Sequence, residues 1–320
     1  MKLDDFVLDD SERITLALRS LYQRSGYARF RMEKFEKYDL YAQNKDFLVS
    51  EHVITFTDMD GKLLALKPDV TLSVIKYLRD EPDVLQKLCY NETVYRVSKG
   101  TGSFHGIMQV GLECVGRVDE ACVGEVLLLA AKSLALVASS YVLELSHLDI
   151  LTKLLDAALK DPKARVEALR RVAGKNVAGV AALCREAGAP AADAEALLAL
   201  MRLYGPADAV LPKLRALCAG KGLDAELAAL DAVLAPLRDG GFADRVTLDF
   251  SAVSNMSYYN GVLFQGFVEG LPDSVLTGGQ YDRLMRKMGR RSRAIGFAVY
   301  LDRLERIGGT NNGGVVFQDA

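Results

Sequence analysis

Leu276-Thr-Gly-Gly-Gln-Tyr-Asp-Arg-Leu284, followed after a short basic loop by Ala294-Ile-Gly-Phe-Ala-Val-Tyr-Leu-Asp-Arg-Leu304, is the stretch whose reading decides the fold. A paired glycine lets backbone come close to a ligand. An apolar strand that carries a glycine and runs into a helix with an early arginine, Arg303, suits a buried site for an amino acid or a nucleotide. The stretch holds no G-x-G-x-x-G fingerprint and the chain has no P-loop, which sets dinucleotide and Walker-type chemistry aside.

Working outward, further β-structure is predicted at Val246-Thr-Leu-Asp-Phe250 and Gly261-Val-Leu-Phe-Gln-Gly-Phe-Val268. Before it, from Asp149 to Leu237, the composition turns to Ala, Leu, Arg and Glu with helical spacing. Breaks at Gly188-Ala-Pro190, Gly205-Pro206 and Gly220-Lys-Gly222 predict several short helices there. Further upstream, Asn91 to Arg96 and Gly106 to Gly116 read as an antiparallel strand pair joined by a Gly-rich loop. A hairpin is expected from Val53 to Leu66 with its turn at Asp58-Met-Asp-Gly61. Lys67-Pro-Asp-Val-Thr71 then breaks the strand and opens a helix, with Thr71 as the candidate cap. A helix capped at Asp10-Ser11 and ending near Ser25-Gly26 starts the chain, followed by a half-exposed strand in which Phe30 and Met32 alternate with charged residues.

The chain has 320 residues, more than a usual single domain, and 50% of them are hydrophobic, as in ordinary globular proteins. Lys+Arg number 40 against 42 Asp+Glu, a near balance that disfavours extended nucleic-acid binding, although Arg286, Lys287, Arg290, Arg291 and Arg293 form a basic patch. Five scattered cysteines without C-x-x-C spacing indicate neither a zinc site nor a disulfide framework, and read as thiols of a reducing cytoplasm. None of the three histidines, His52, His105 and His147, has metal spacing with carboxylates, so no metal or other cofactor is expected. The acidic opening Met1-Lys-Leu-Asp-Asp-Phe6 is not expected to act as a signal peptide, and no apolar run of membrane-spanning length appears in the sequence. The expected compartment is the cytoplasm.

Four segments, in this order, resemble the core of histidyl-tRNA synthetase, a class II aminoacyl-tRNA synthetase, over residues 10 to 307. Lys67-Pro-Asp-Val-Thr71 is similar to the family's Arg-Pro-Glu-Gly-Thr, and Tyr95-Arg96 with Gln109-Val-Gly-Leu-Glu113 is similar to motif 2. Ser257-Tyr-Tyr-Asn260 is similar to the second histidine signature, and the stretch quoted first is similar to motif 3. The opening helix and strand resemble the dimer-forming motif 1, with Glu33 on or beside the family's proline. The resemblance implies an α+β fold, an antiparallel sheet flanked by helices with a helical insertion. Its parts would be a core of residues 1–148 and 241–307, the insertion at 149–240, and a flexible tail at 308–320.

By the same resemblance, Asp69, Thr71, Gln109 and Glu113 would receive the ammonium and neighbouring groups of an amino acid, and Tyr258 and Tyr259 would face an imidazole. The plainer readings stay open: an acid after Pro68 is often a helix cap, and paired tyrosines are often core. Adenylation needs cations where phosphate charge gathers, each worth on the order of 3 kcal/mol. Here Ser254 stands where the signature has arginine, the motif 2 loop offers Gly100 to His105, and Tyr300 replaces a glycine against the nucleotide. Arg96 and Arg303 remain, as phosphate clamps or as structural partners of carboxylates such as Glu113 or Asp302; the structural role is favoured. The sequence also ends at Ala320, where the synthetase carries an anticodon-binding domain.

An amino-acid pocket kept beside lost catalytic cations is similar to the regulatory subunits of ATP phosphoribosyltransferase. That resemblance implies no catalysis by this chain and a partnership with a short-form catalytic subunit in a hetero-octamer, with self-association as a dimer. It further implies free histidine as feedback ligand, in the first step of histidine biosynthesis. tRNA and membrane are not expected partners. The alternative is a truncated histidyl-tRNA synthetase-like adenylating enzyme, favoured by Arg96 and Arg303.

Overall fold

The computed structural model describes residues 8–48, 52–97, 102–253 and 258–304. Helix α1 (Asp10–Arg24) starts on a capping box one residue before the expected cap. Asp9 accepts from the Glu12 N–H at 2.7 Å, and the Glu12 carboxylate takes the Asp9 N–H at 3.1 Å. Strand β1 is only Ala28–Arg29, shorter than the alternation of Phe30 and Met32 suggests. Beyond it the Met32 N–H turns to the Glu92 side chain at 3.2 Å, and both apolar residues pack on Val70, Val74 and Tyr90.

Strand β2 (Phe35–Lys37), helix α2 (Tyr38–Ala42) and the hairpin β3 (Thr55–Thr57) to β4 (Leu63–Leu66) follow. The hairpin forms as expected, with Gly61 in the left-handed region at φ 79° and Asp58 accepting backbone N–H groups of Asp60 and Lys62. With β2 it makes a separate sheet in the order β2-β4-β3. Helix α3 (Thr71–Tyr77) corrects the expected cap. Asp69 accepts the Leu72 N–H at 2.9 Å, and the Thr71 hydroxyl points elsewhere.

Strands β5 (Gln86–Val97) and β6 (Phe104–Gly116) pair antiparallel from Gln86 opposite Val115 to Val97 opposite Phe104. Helix α4 (Glu120–Val137), capped by Asp119, leads into β7 (Tyr141–His147). Helices α5 (Leu148–Ala158), α6 (Pro162–Ala173), α7 (Val177–Glu186) and α8 (Ala191–Leu200) come next. Strand β8 (Tyr204–Pro206) separates them from α9 (Ala207–Cys218) and α10 (Asp224–Asp239). Gly188 to Pro190 and Gly220 to Gly222 separate helices, whereas Gly205 and Pro206 lie in the short strand. The chain then supplies β9 (Val246–Asp249), β10 (Asn260–Val268), β11 (Leu276–Gln280), α11 (Asp282–Lys287), β12 (Arg293–Tyr300) and α12 (Leu301–Leu304).

The main sheet runs β1-β5-β6-β12-β11-β10-β7-β9-β8. It is antiparallel except where β1 lies parallel to β5 and β7 parallel to β9. Side chains alternate across a strand, so each central strand serves both faces. On β6, Val110, Leu112 and Cys114 point into the helix-packed core, while Gln109 and Glu113 point the other way. On β10, Val262, Leu263 and Phe264 all belong to that core, and Leu263 also lines the pocket together with Gln265. One apolar cluster thus runs from the sheet through α1, α4 and α5 to α10, leaving the second face of β6, β10 and β12 to line a pocket. All five cysteines are buried as free thiols. Among the described residues no helix is long and apolar enough to cross a membrane.

Candidate functional site

A pocket of about 390 Å³ lies on that second face. Asp69, Thr71, Arg96, Gln109, Glu113, Tyr258, Tyr259 and Arg303, singled out across some 235 residues of sequence, all line it, as does Tyr300. Ser254 and residues 99–101 of the motif 2 loop lie outside the described residues, as does the 308–320 tail. His105 is exposed at the start of β6, 2.8 Å from Ser103, away from the pocket.

Glu113 is the centre of the acidic end. It is 2% exposed, takes the Thr71 hydroxyl on one oxygen at 3.0 Å and the Tyr281 phenol on the other at 2.7 Å. Burial pushes its carboxyl up to about 8; the two hydrogen bonds pull against that shift, and the charge of Asp69 adds to it. Asp69 is raised as well, by burial, against the Leu72 N–H and the Arg96 guanidinium. Gln109 stands two residues before Gly111 on the same strand face and is buried. The tyrosines form a wall: the Tyr258 ring lies 4.5 Å from Tyr259 and 5.9 Å from Tyr281, with Phe47 edge-on at 6.2 Å. Burial raises all three phenols, so they stay neutral hydrogen-bonding groups.

The Gly278-Gly279 pair makes room for side chains on both faces of the sheet. A Cβ on Gly279 would fall 2.7 Å from the Tyr259 ring, and one on Gly278 would fall 2.4 Å from the Phe297 Cβ on the other face. Gly296 lies directly opposite Glu113 in the register of β12 with β6. Its Cβ would sit 1.8 Å from a Glu113 oxygen, so the glycine is what allows that carboxylate to lie across the sheet.

The two arginines are each tied to a backbone carbonyl rather than to a carboxylate. The Arg96 Nε donates to the Pro68 carbonyl at 3.0 Å. Arg303 donates to the Ser274 carbonyl and lies over the Tyr300 ring at 4.5 Å. Neither makes an ion pair with Glu113 or Asp302 among the described residues. The Tyr300 phenol is fixed by Thr277 at 2.6 Å, so a phenol under a guanidinium lines this end of the pocket. Tyr281 is the residue that sequence reasoning missed. It stood inside the decisive stretch, and the need of a buried Glu113 for donors was the signal that could have found it. Much of the basic patch is tied down: Lys287 to Asp46 at 3.0 Å, Arg293 to Asp282 at 3.2 Å, and Arg290 to the Ile75 carbonyl at 3.1 Å. Among the described residues no group of His, Cys, Asp and Glu is arranged to hold a metal ion.

The family model described as histidyl-tRNA synthetase matches residues 7–304. An ATP phosphoribosyltransferase regulatory subunit from an Anaeromyxobacter species is 31% identical over 310 residues, covering 94% of this chain and 90% of its own. Among solved structures, an ATP phosphoribosyltransferase regulatory subunit/histidyl-tRNA synthetase from Bacillus halodurans superposes with a TM-score of 0.80 at 24% identity, covering 96% of this chain and 83% of that one. The ATP phosphoribosyl transferase complex from Thermotoga maritima contains a chain matching with a TM-score of 0.71 at 19% identity, over 93% of this chain and 98% of that one. These two likenesses establish the class II synthetase fold. Taken with the family match and the Anaeromyxobacter relative, they place this chain in the histidyl-tRNA synthetase family, among the ATP phosphoribosyltransferase regulatory subunits.

Proposed function

We propose that the chain is the non-catalytic regulatory subunit of ATP phosphoribosyltransferase, required by a short-form catalytic subunit for full activity and carrying free histidine as feedback signal. The observation that carries this reading is the meeting in one pocket of an acidic, tyrosine-walled end with an end where Tyr300 lies under Arg303. Asp69 and Glu113, without an ion-pair partner among the described residues, suit a ligand that brings an ammonium and ring N–H groups. At the other end Tyr300 lines the pocket where the synthetase has a glycine, and Arg96 and Arg303 each spend a donor on a backbone carbonyl, which supports a reading without adenylation. The names of the relatives support the partnership.

An effector moves its partner only through its different affinities for two assembly states, typically about 1–3 kcal/mol. The chain would act as a dimer within a hetero-octamer in the cytoplasm, with residues 149–240 as an insertion into a core of residues 1–148 and 241–307. The test is to mix the chain with a short-form catalytic subunit and follow phosphoribosyl transfer from phosphoribosyl pyrophosphate to ATP, with and without histidine. Stimulation by the chain and inhibition by histidine are expected; equal rates with and without the chain would remove the proposal. Histidine-dependent pyrophosphate exchange into ATP by the chain alone would favour an adenylating enzyme instead.

A further inference from the structure

On the helix-packed face of the sheet, away from the first pocket, a second pocket of about 350 Å³ opens where the first turns of α4, α5 and α10 meet the ends of β10, β11 and β12. Three carboxylates enter it from three helices: Glu120, Asp149 and Glu226. A fourth, Asp282, is already satisfied by the Ala294 N–H at 2.9 Å and by Arg293 and Asn260 at 3.2 Å. Glu226 is not. One of its oxygens takes Lys153 at 2.6 Å, but the other is buried without a partner.

Beside these acids His147, at the junction of β7 and α5, is 5% exposed, and its Nδ1 also lacks a hydrogen-bond partner. Burial holds this imidazole below its usual range, against the pull of Asp149, Glu226 and its own backbone carbonyl, so it stays neutral. A buried carboxylate oxygen short of a donor, next to further carboxylates and a neutral imidazole, calls for a ligand that is rich in N–H and positively charged. A metal ion is not the candidate, because among the described residues no three ligating side chains converge. The helix N-termini each add about half a positive charge, but each first turn already carries its own acid, which offsets it. The rest of the wall is mixed: Val123, Ala225, Ala229, Val233 and Val262 give it an apolar side, while Asn260, Gln280 and Arg293, the last paired with Asp282, give it a polar one.

We propose that this pocket is a second ligand site, for a small primary alkylammonium compound whose head group donates to the unpartnered Glu226 oxygen, with Asp149 and His147 beside it, while its chain lies on Val123, Ala229, Val233 and Val262. The site is separate from Glu113 and does not depend on what the first pocket binds.

The chain has only three histidines, so ring-labelled histidine gives three resolvable environments by nuclear magnetic resonance, and His147→Gln identifies one of them. Titration of the full chain with n-butylammonium is expected to shift the His147 signal saturably, with a Kd in the millimolar range. Sodium chloride, 1-butanol and butyrate should leave it in place. Glu226→Gln should weaken binding at least tenfold, and Ala229→Phe, which fills the apolar floor, should abolish it, with thermal melting confirming that each variant is folded. Glu113→Gln should not change it. A non-saturating shift, an equal shift with sodium chloride or 1-butanol, or unchanged binding in folded Glu226→Gln would overturn the site.

Discussion

At the scale of single residues, the account turns on Glu113. Its folded value of about 8 against an ordinary 4.5 means the folded chain holds a proton that the unfolded chain releases between those values. Its contribution to stability is therefore fully present below about pH 4.5, falls as pH rises, and is gone above about pH 8. Melting temperatures measured from pH 5 to 8 should fall more steeply for the native chain than for Glu113→Gln. An ammonium-bearing ligand favours the ionised form, so histidine affinity should rise with pH up to about 8, by at most about tenfold per unit. Calorimetric titration at three pH values would show it. Gly296→Ala tests the same carboxylate from beneath. With a Cβ 1.8 Å from Glu113 and 2.5 Å from the Leu112 carbonyl, it should destabilise by about 1–3 kcal/mol in denaturant unfolding and reduce histidine binding.

Which residues gather at the pocket was legible in the sequence, because segments with their own order and chemistry carry them. What each glycine touches was not. The neighbour of Gly296 is fixed by the register of β12 against β6, and that of Gly279 by the fold-back of Tyr259. Such cross-strand facts leave no mark in the local sequence. The same holds for the arginines: a guanidinium can be satisfied by a carbonyl as well as by a carboxylate, and only the packed structure shows that Pro68 and Ser274 supply the partners.

At the scale of elements, the loop between α11 and β12, which carries Arg290 and Arg291 of the basic patch, is pinned by Asp80 from the connection between α3 and β5. That carboxylate accepts from the Arg291 N–H at 2.9 Å, the Ser292 N–H at 3.0 Å and the Ser292 hydroxyl at 2.6 Å. The Ser292 hydroxyl and the Arg291 N–H hold Asp80 down at about 2. Its stabilising effect is present above about pH 3.8 and is lost as pH falls towards 2. Asp80→Ala leaves the donors of a buried Ser292 unpaired and should cost about 1–3 kcal/mol at pH 7 in denaturant unfolding, with a smaller loss at pH 2.5. Helices and hairpins were legible at this scale because caps and turn residues act locally. The sequence alternation at Phe30 and Met32 overstated β1, since a partner side chain, Glu92, takes the backbone donor that a longer strand would need.

At the scale of the whole molecule, the main sheet divides the chain's work. One face is filled by helices into a continuous apolar core, and the other is left to a pocket with an acidic end and an end where Tyr300 lies under Arg303. The order of the strands, with β6 beside β12 and β10 beyond β11, is what brings Asp69 and Tyr300 into one cavity. No stretch of sequence states that order. It became legible only through resemblance to a family whose segments occur in the same succession.

The most direct measurement is calorimetric titration of histidine into the chain assembled with a short-form catalytic subunit, comparing native and Glu113→Gln chains. The account predicts one saturable site per native chain, weakened at least tenfold in the variant while assembly persists. Absence of histidine binding to the native complex, or equal binding by both, would contradict it.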